Sequence, residues 1–181
     1  VSPPAGMTTA DFAVGDWVLT DPQNRQISRL LDRHSLLQRQ TVGARQLQLI
    51  AANVDTVFIV TSCNDDFNPA RLERYLAMTN EAGTGAVIVL TKADQTADVA
   101  KYQREAEALQ RGLPVVPING KTQEAIAALA PWCRQGQTVA LIGSSGVGKS
   151  TLLNTLAQKS EEDAQATGSI RENDAKGRHT T

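Results

Sequence analysis

The chain has 181 residues, room for one large domain or two small ones. Hydrophobic residues make up an ordinary 41% and aromatics only 4%, so a core must rest on Leu, Val, Ile and Ala. A net charge of -1 excludes a global pull toward nucleic acid or acidic membranes, and no apolar run reaches the roughly 18 residues of a membrane span.

Residues 1–10, VSPPAGMTTA, are small and polar and read as a flexible leader; they lack the basic start and apolar stretch of a secretory signal. Residues 11–50 are patterned as short β structure: FAVGDWVLT, a turn at Asp21-Pro22-Gln23-Asn24, then QISRLLDRHSLLQRQ. In that turn Pro presets φ and Asn tolerates a left-handed backbone. A small, OB-like antiparallel barrel is expected, incomplete at this length. Local charge is uneven here. Arg25, Arg29, Arg33, Arg39 and Arg45 face a single acid, Asp32, so contact with RNA or another polyanion belongs on this stretch. A solvated barrel surface explains the same arginines equally well, and His34 beside them reads as a surface residue.

After Asn53 the character changes. DTVFIVTS, from Asp55, is a continuous apolar run, the mark of a strand covered on both faces. Asn68-Pro69 opens a helix, with Asn as cap and Pro at the first helical position. Leu72, Tyr75, Leu76 and Thr79 share its inner face, and Gly83 stops it. Further strands are expected at AVIVL (from Ala86), PVVPI (from Pro114) and TVALI (from Thr138), with helices over 96–112, 122–132 and 149–158. The alternation predicts an α/β domain over 51–181, a parallel sheet with helices on both faces. Residues 160–181 are polar and aperiodic and read as a mobile loop. Cys63 and Cys133 could form one disulfide on count alone; two buried free thiols in a reducing, cytoplasmic compartment are the expectation.

Gly143-Ser144-Ser145-Gly146-Val147-Gly148-Lys149-Ser150 fits the phosphate-loop pattern G-x-x-x-x-G-K-[ST] and stands where the mechanism needs it, between a strand and a helix. The glycines let successive N–H groups point at a polyphosphate, and the helix starting near Ser150 and Thr151 turns its positive end to the same anion. Lys149 should reach the β- and γ-phosphates, and the Ser150 hydroxyl should ligate Mg²⁺. Four fixed positions would match by accident in about 1% of chains this long, so the pattern outweighs a chance turn.

The base is a separate question. Thr91-Lys92-Ala93-Asp94 closes the second apolar strand and resembles the N/T-K-x-D segment of guanine-nucleotide-binding proteins. The Asp94 carboxylate would accept from the two donors on guanine; adenine offers no such pair, and an unpaired buried carboxylate is costly. Lys92 would lay its stem along the base. Asn119-Gly120 follows the third strand, where such proteins place a backbone amide against guanine O6. Both motifs fall at carboxyl ends of parallel strands, the edge at which open α/β sheets bind ligands.

The base segment precedes the phosphate loop, the reverse of the usual GTPase order. The same sheet forms if the chain is circularly permuted, and the switch loops then lie beyond the phosphate loop. Here the chain is similar to the circularly permuted GTPases of small ribosomal subunit maturation, the RsgA (YjeQ) family. The likeness runs through GDWV at Gly15, LIAANVDTVFIV at Leu49, DFNP at Asp66, GSSGVGKSTLLN at Gly143 and GRHTT at Gly177. It implies an OB barrel, a permuted P-loop GTPase domain and a C-terminal zinc domain, with GTP hydrolysis stimulated by the small (30S) ribosomal subunit. It also implies that His179 positions the attacking water and that Thr180 or Thr181 completes the Mg²⁺ shell. Asp174-Ala175-Lys176-Gly177 has the letters of a D-x-x-G element but no strand before it; that element and the Zn²⁺ ligands are expected after residue 181. A monomer that binds GTP or GDP and ribosomal RNA is therefore expected. An ATP-using kinase or ATPase, and an RNA-binding module with vestigial nucleotide binding, are the alternatives.

Overall fold

The computed structural model describes residues 3–4, 6–40 and 47–157. The segment read as a leader ends in a turn of 3-10 helix, Thr9–Asp11, closed by Asp11 Oδ2 accepting from the Thr8 amide at 2.7 Å. Strand β1 (Val18–Thr20) then pairs antiparallel with β2 (Ile27–Leu30), and β3 (Leu36–Gln40) with β4 (Leu47–Ala52). These are two separate two-stranded sheets, an OB-like region and not a closed barrel among the described residues. The β1–β2 turn departs from expectation in one respect. The left-handed residue is Arg25, at φ 55°, and Asn24 instead uses its Oδ1 to accept from the Gln26 amide at 2.8 Å.

The second region is a parallel sheet of β5 (Thr56–Ser62), β6 (Gly85–Thr91), β7 (Val115–Pro117) and β8 (Val139–Ile142), in the order β7-β6-β5-β8. All seven residues of β5 are buried, as a strand covered on both faces requires. Successive side chains alternate between the two layers of core. Val57, Ile59, Ile88 and Leu90 pack with Leu72 and Leu76 of α1 (Pro69–Glu81) and Ala106 of α2 (Val99–Glu107). Phe58, Val60, Val87 and Val89 pack with Ala125 and Leu129 of α3 (Gln123–Leu129) and Leu152 of α4 (Lys149–Leu156).

Helix α1 begins as its letters dictate: Asn68 Oδ1 accepts from the Arg71 amide at 2.9 Å, and Pro69 occupies the first turn. The next two helices are shorter than expected. Asp98 caps α2 by accepting from the Lys101 amide at 3.1 Å, which moves the start from 96 to 99. Pro131 cannot continue α3, which gives way to a 3-10 turn at Ala130–Trp132. Position 158, the expected end of the last helix, lies outside the described residues.

The two regions share a core. Leu37 of β3 is fully buried in the same cluster as Leu72 and Leu76 of α1. Asn53, at φ 56°, knots the junction: its Oδ1 accepts from the His34 amide at 3.0 Å and its Nδ2 donates to the Gly15 carbonyl at 3.0 Å. Gly15 has no room for a side chain, since a Cβ there would lie 2.3 Å from the Ala52 carbonyl oxygen.

Candidate functional site

Four parallel strands deliver their following loops to one edge. The phosphate loop leaves β8 at Gly143, φ 152°, where a Cβ would lie 2.2 Å from the Val60 carbonyl oxygen of β5. Val147 is buried and pegs the loop into the core under α4. Gly146 and Gly148 take positive φ, and Gly148 is the N-cap of α4. Ser150 and Thr151 follow in the first turn, so their backbone and the Ser150 hydroxyl stand at the positive end of the helix. The Lys149 ammonium donates to the Gly143 carbonyl at 2.9 Å and to the Ser144 carbonyl. Half-burial removes much of its hydration and lowers its pKa from the ordinary lysine range.

The base segment is bonded to this loop. Buried Thr91, the last residue of β6, donates its hydroxyl to the Val147 carbonyl at 2.6 Å, with the Thr61 carbonyl also near at 3.1 Å. Lys92 turns left-handed, φ 57°, and starts a 3-10 turn, Ala93–Gln95, that presents Asp94 to solvent. The third loop is joined on both sides. The Ala93 amide donates to the Ile118 carbonyl at 3.2 Å, and the Thr155 hydroxyl of α4 donates to the Gly120 carbonyl at 2.7 Å. Asn119 uses its own Oδ1 to accept from the Lys121 amide at 3.1 Å. Residues 91–94, 119–120 and 143–151 therefore form one cross-tied edge. Two further residues belong to it that no sequence motif marks. Arg71 of α1 donates through Nη1 to the Ser144 hydroxyl, and Thr155 bridges α4 to Gly120. An arginine three residues after a helix cap, where an acid is usual, was the one signal for the first.

The arginines divide. Arg25, Arg29 and Arg39 are exposed, Arg39 donating through Nε to Gln48 Oε1 at 2.9 Å. Arg33 is turned inward: Nε and Nη2 fork onto the two oxygens of Asp16 at 2.7 Å each, and Nη2 also donates to the Asp11 carbonyl. The Arg33 guanidinium holds the Asp16 carboxyl below the usual carboxylate range. Arg45, His179, Thr180 and Thr181 lie outside the described residues.

One expectation about the thiols is corrected. Cys63 is buried, and burial pushes its pKa to about 11, but Cys133 is exposed, at the C-cap of the 3-10 turn Ala130–Trp132 that follows α3. Among the described residues no group of three or more His, Cys, Asp or Glu side chains could hold a metal. No helix there is long and apolar enough to cross a membrane.

Comparison with known proteins gives the following. The family model described as RsgA GTPase matches residues 30–181. The small ribosomal subunit biogenesis GTPase RsgA of Mesorhizobium japonicum is 62% identical over 174 residues, covering 96% of this chain and 50% of the relative. RsgA 2 of Vibrio parahaemolyticus is 52% identical over 172 residues, covering 94% of this chain and 47% of the relative. The chain spans about half the length of the curated relatives it matches. The crystal structure of YjeQ from Thermotoga maritima superposes with a TM-score of 0.61 at 27% identity, covering 80% of this chain and 51% of that one. YloQ, described as a circularly permuted GTPase, gives 0.57 at 27% identity, covering 83% and 50%.

Proposed function

This chain belongs to the RsgA GTPase family, and on that premise we propose that it binds GTP or GDP along the cross-tied edge, hydrolyses GTP, and serves in small ribosomal subunit biogenesis. The observation that carries the reading is the hydroxyl of Thr91 on the carbonyl of Val147. One side chain joins the segment that would name the purine to the loop that would hold its phosphates.

In this reading residues 143–151 wrap the polyphosphate with backbone amides, while Lys149 exchanges its two carbonyl partners for phosphate oxygens. Asp94, open to solvent, takes the two donors of guanine; Lys92 lies along the base and the 119–120 backbone meets its O6. The Ser150 hydroxyl, beside Lys149 in the first turn, is a hard oxygen donor of the kind Mg²⁺ requires. Mg²⁺ bound there would neutralise charge developing on the phosphates. We assign to His179 the orientation of the attacking water, and to Thr180 or Thr181 the remaining hydroxyl for the metal. Ribosomal RNA would be met through phosphate contacts by Arg25, Arg29, Arg39 and Arg45. Arg33 is the least suited of the five, its fork being occupied by Asp16. The protein is placed in the cytoplasm as a monomer, and Zn²⁺ is left to the C-terminal domain that the family likeness implies.

The test is Asp94→Asn. Exchanging acceptor for donor should cost guanine nucleotides on the order of a hundredfold in affinity and improve xanthine nucleotides, read by fluorescent nucleotide titration. Unchanged GTP affinity in that variant removes the guanine assignment.

A further inference from the structure

A second cation rests on the phosphate loop. Arg71 lies in the first turn of α1, its amide fixed by Asn68 Oδ1 at 2.9 Å, and its Nη1 donates to the Ser144 hydroxyl. The carbonyl of the same Ser144 accepts from the Lys149 ammonium. Two cationic side chains thus meet on one residue.

Without an anion this arrangement is costly. Arg71 stands at the positive end of a 13-residue helix whose first turn holds no acid, where a cation is disfavoured. No ion pair engages it among the described residues, and its partner is a neutral hydroxyl. The half-buried Lys149 ammonium close by repels it. A polyphosphate reverses each of these terms, because charge-assisted hydrogen bonds to an anion are the strong ones and the guanidinium fork suits phosphate.

Resting on the nucleotide-binding reading above, we propose that Arg71 is a positioning residue of the phosphate site: it orients Ser144 and gives the polyphosphate a second positive charge besides Lys149. Such a residue affects nucleotides of either base alike, since it lies on the phosphate side of the edge. Its contribution is electrostatic and therefore salt-dependent.

The experiment titrates a fluorescent GDP analogue into the 181-residue chain at several sodium chloride concentrations, for wild type, R71Q, R71K and S144A. R71Q should weaken binding about tenfold and flatten the dependence of affinity on salt. R71K should keep the salt slope and lose less than about threefold. S144A, which leaves α1 untouched, should weaken binding with the slope unchanged, because the charge remains. A residue that only shapes α1 would lower the melting temperature of the nucleotide-free chain and leave the slope as it was. Wild-type affinity and slope in R71Q overturn the proposal, and so does wild-type affinity in S144A should R71Q fail to fold. Absence of binding by the wild-type chain at every salt concentration overturns the nucleotide reading itself, which is a different failure from an unchanged R71Q in a chain that binds.

Discussion

Lys149 keeps its proton less firmly than a lysine in water, because half-burial has taken hydration from the ammonium and given it two carbonyls in return. The sign of the consequence can be worked out. Between the lowered folded value and the ordinary 10.5 the unfolded chain binds more protons, so the nucleotide-free fold gains stability as pH rises through that window. Phosphate favours the charged form, so nucleotide binding takes up a proton there and weakens as pH rises. Calorimetry of GDP binding at alkaline pH in two buffers of different ionisation enthalpy should show this uptake, and Lys149→Met should abolish it. A binding enthalpy independent of buffer would sink the argument. At this scale the glycines of 143–148 were legible because backbone geometry restricts which residues fit; at Gly143 an added Cβ would lie 2.2 Å from the Val60 carbonyl oxygen. Arg71 and Thr155 were not legible. Each acts on a residue distant in the chain; the lack of an acid in the first turn of α1 marks Arg71 as unusual there but does not point to Ser144 as its partner. The same blindness counted Arg33 among surface charges, although Asp16 holds it.

Among the elements, strands that are covered on both faces announce themselves by a near-continuous apolar stretch, as at Val57–Val60 and Ala86–Leu90; β5 and β6 were read nearly to the residue for that reason. Helix ends were read where a cap and a proline coincide, at Asn68-Pro69, and overrun where a single side chain competed, at Asp98 and Pro131. The hairpins were harder. Leu37 sits in a run without clean alternation because its strand buries one residue in a core that belongs to the sheet. Leu37→Ala should therefore cost about 2–5 kcal/mol. The two tryptophans, Trp17 in the hairpin region and Trp132 beside Phe58 of the sheet, provide a probe on each side. Urea unfolding followed by tryptophan fluorescence and by far-UV circular dichroism should shift as one transition. Two separated transitions would mean that the hairpins and the sheet unfold independently.

For the whole molecule, the reversed order of base segment and phosphate loop was readable because a site made at a sheet edge depends on strand neighbours and not on chain order. What the sequence left open was how the hairpin region attaches. The structure answers with shared core and the Asn53 knot, both formed between residues that no periodicity links. If the exposed arginines of these hairpins meet ribosomal RNA, co-sedimentation of the chain with small subunits should fall as salt rises. Charge reversal at Arg29, which is exposed, should weaken pelleting, whereas Arg33→Gln should act mainly by loosening the fold. Equal pelleting by wild type and Arg29→Glu at every salt concentration would remove the hairpins as the contact.

The hairpins join the sheet at its middle. Strand β4 runs through Asn53 directly into β5, which has β6 on one flank and β8 on the other. A load taken up by the hairpins is thus delivered between the strand that ends at Thr91 and the strand that leads into residues 143–151. The Thr91 hydroxyl ties the end of β6 to the Val147 carbonyl, so strain that enters β5 is shared by both of its flanking strands.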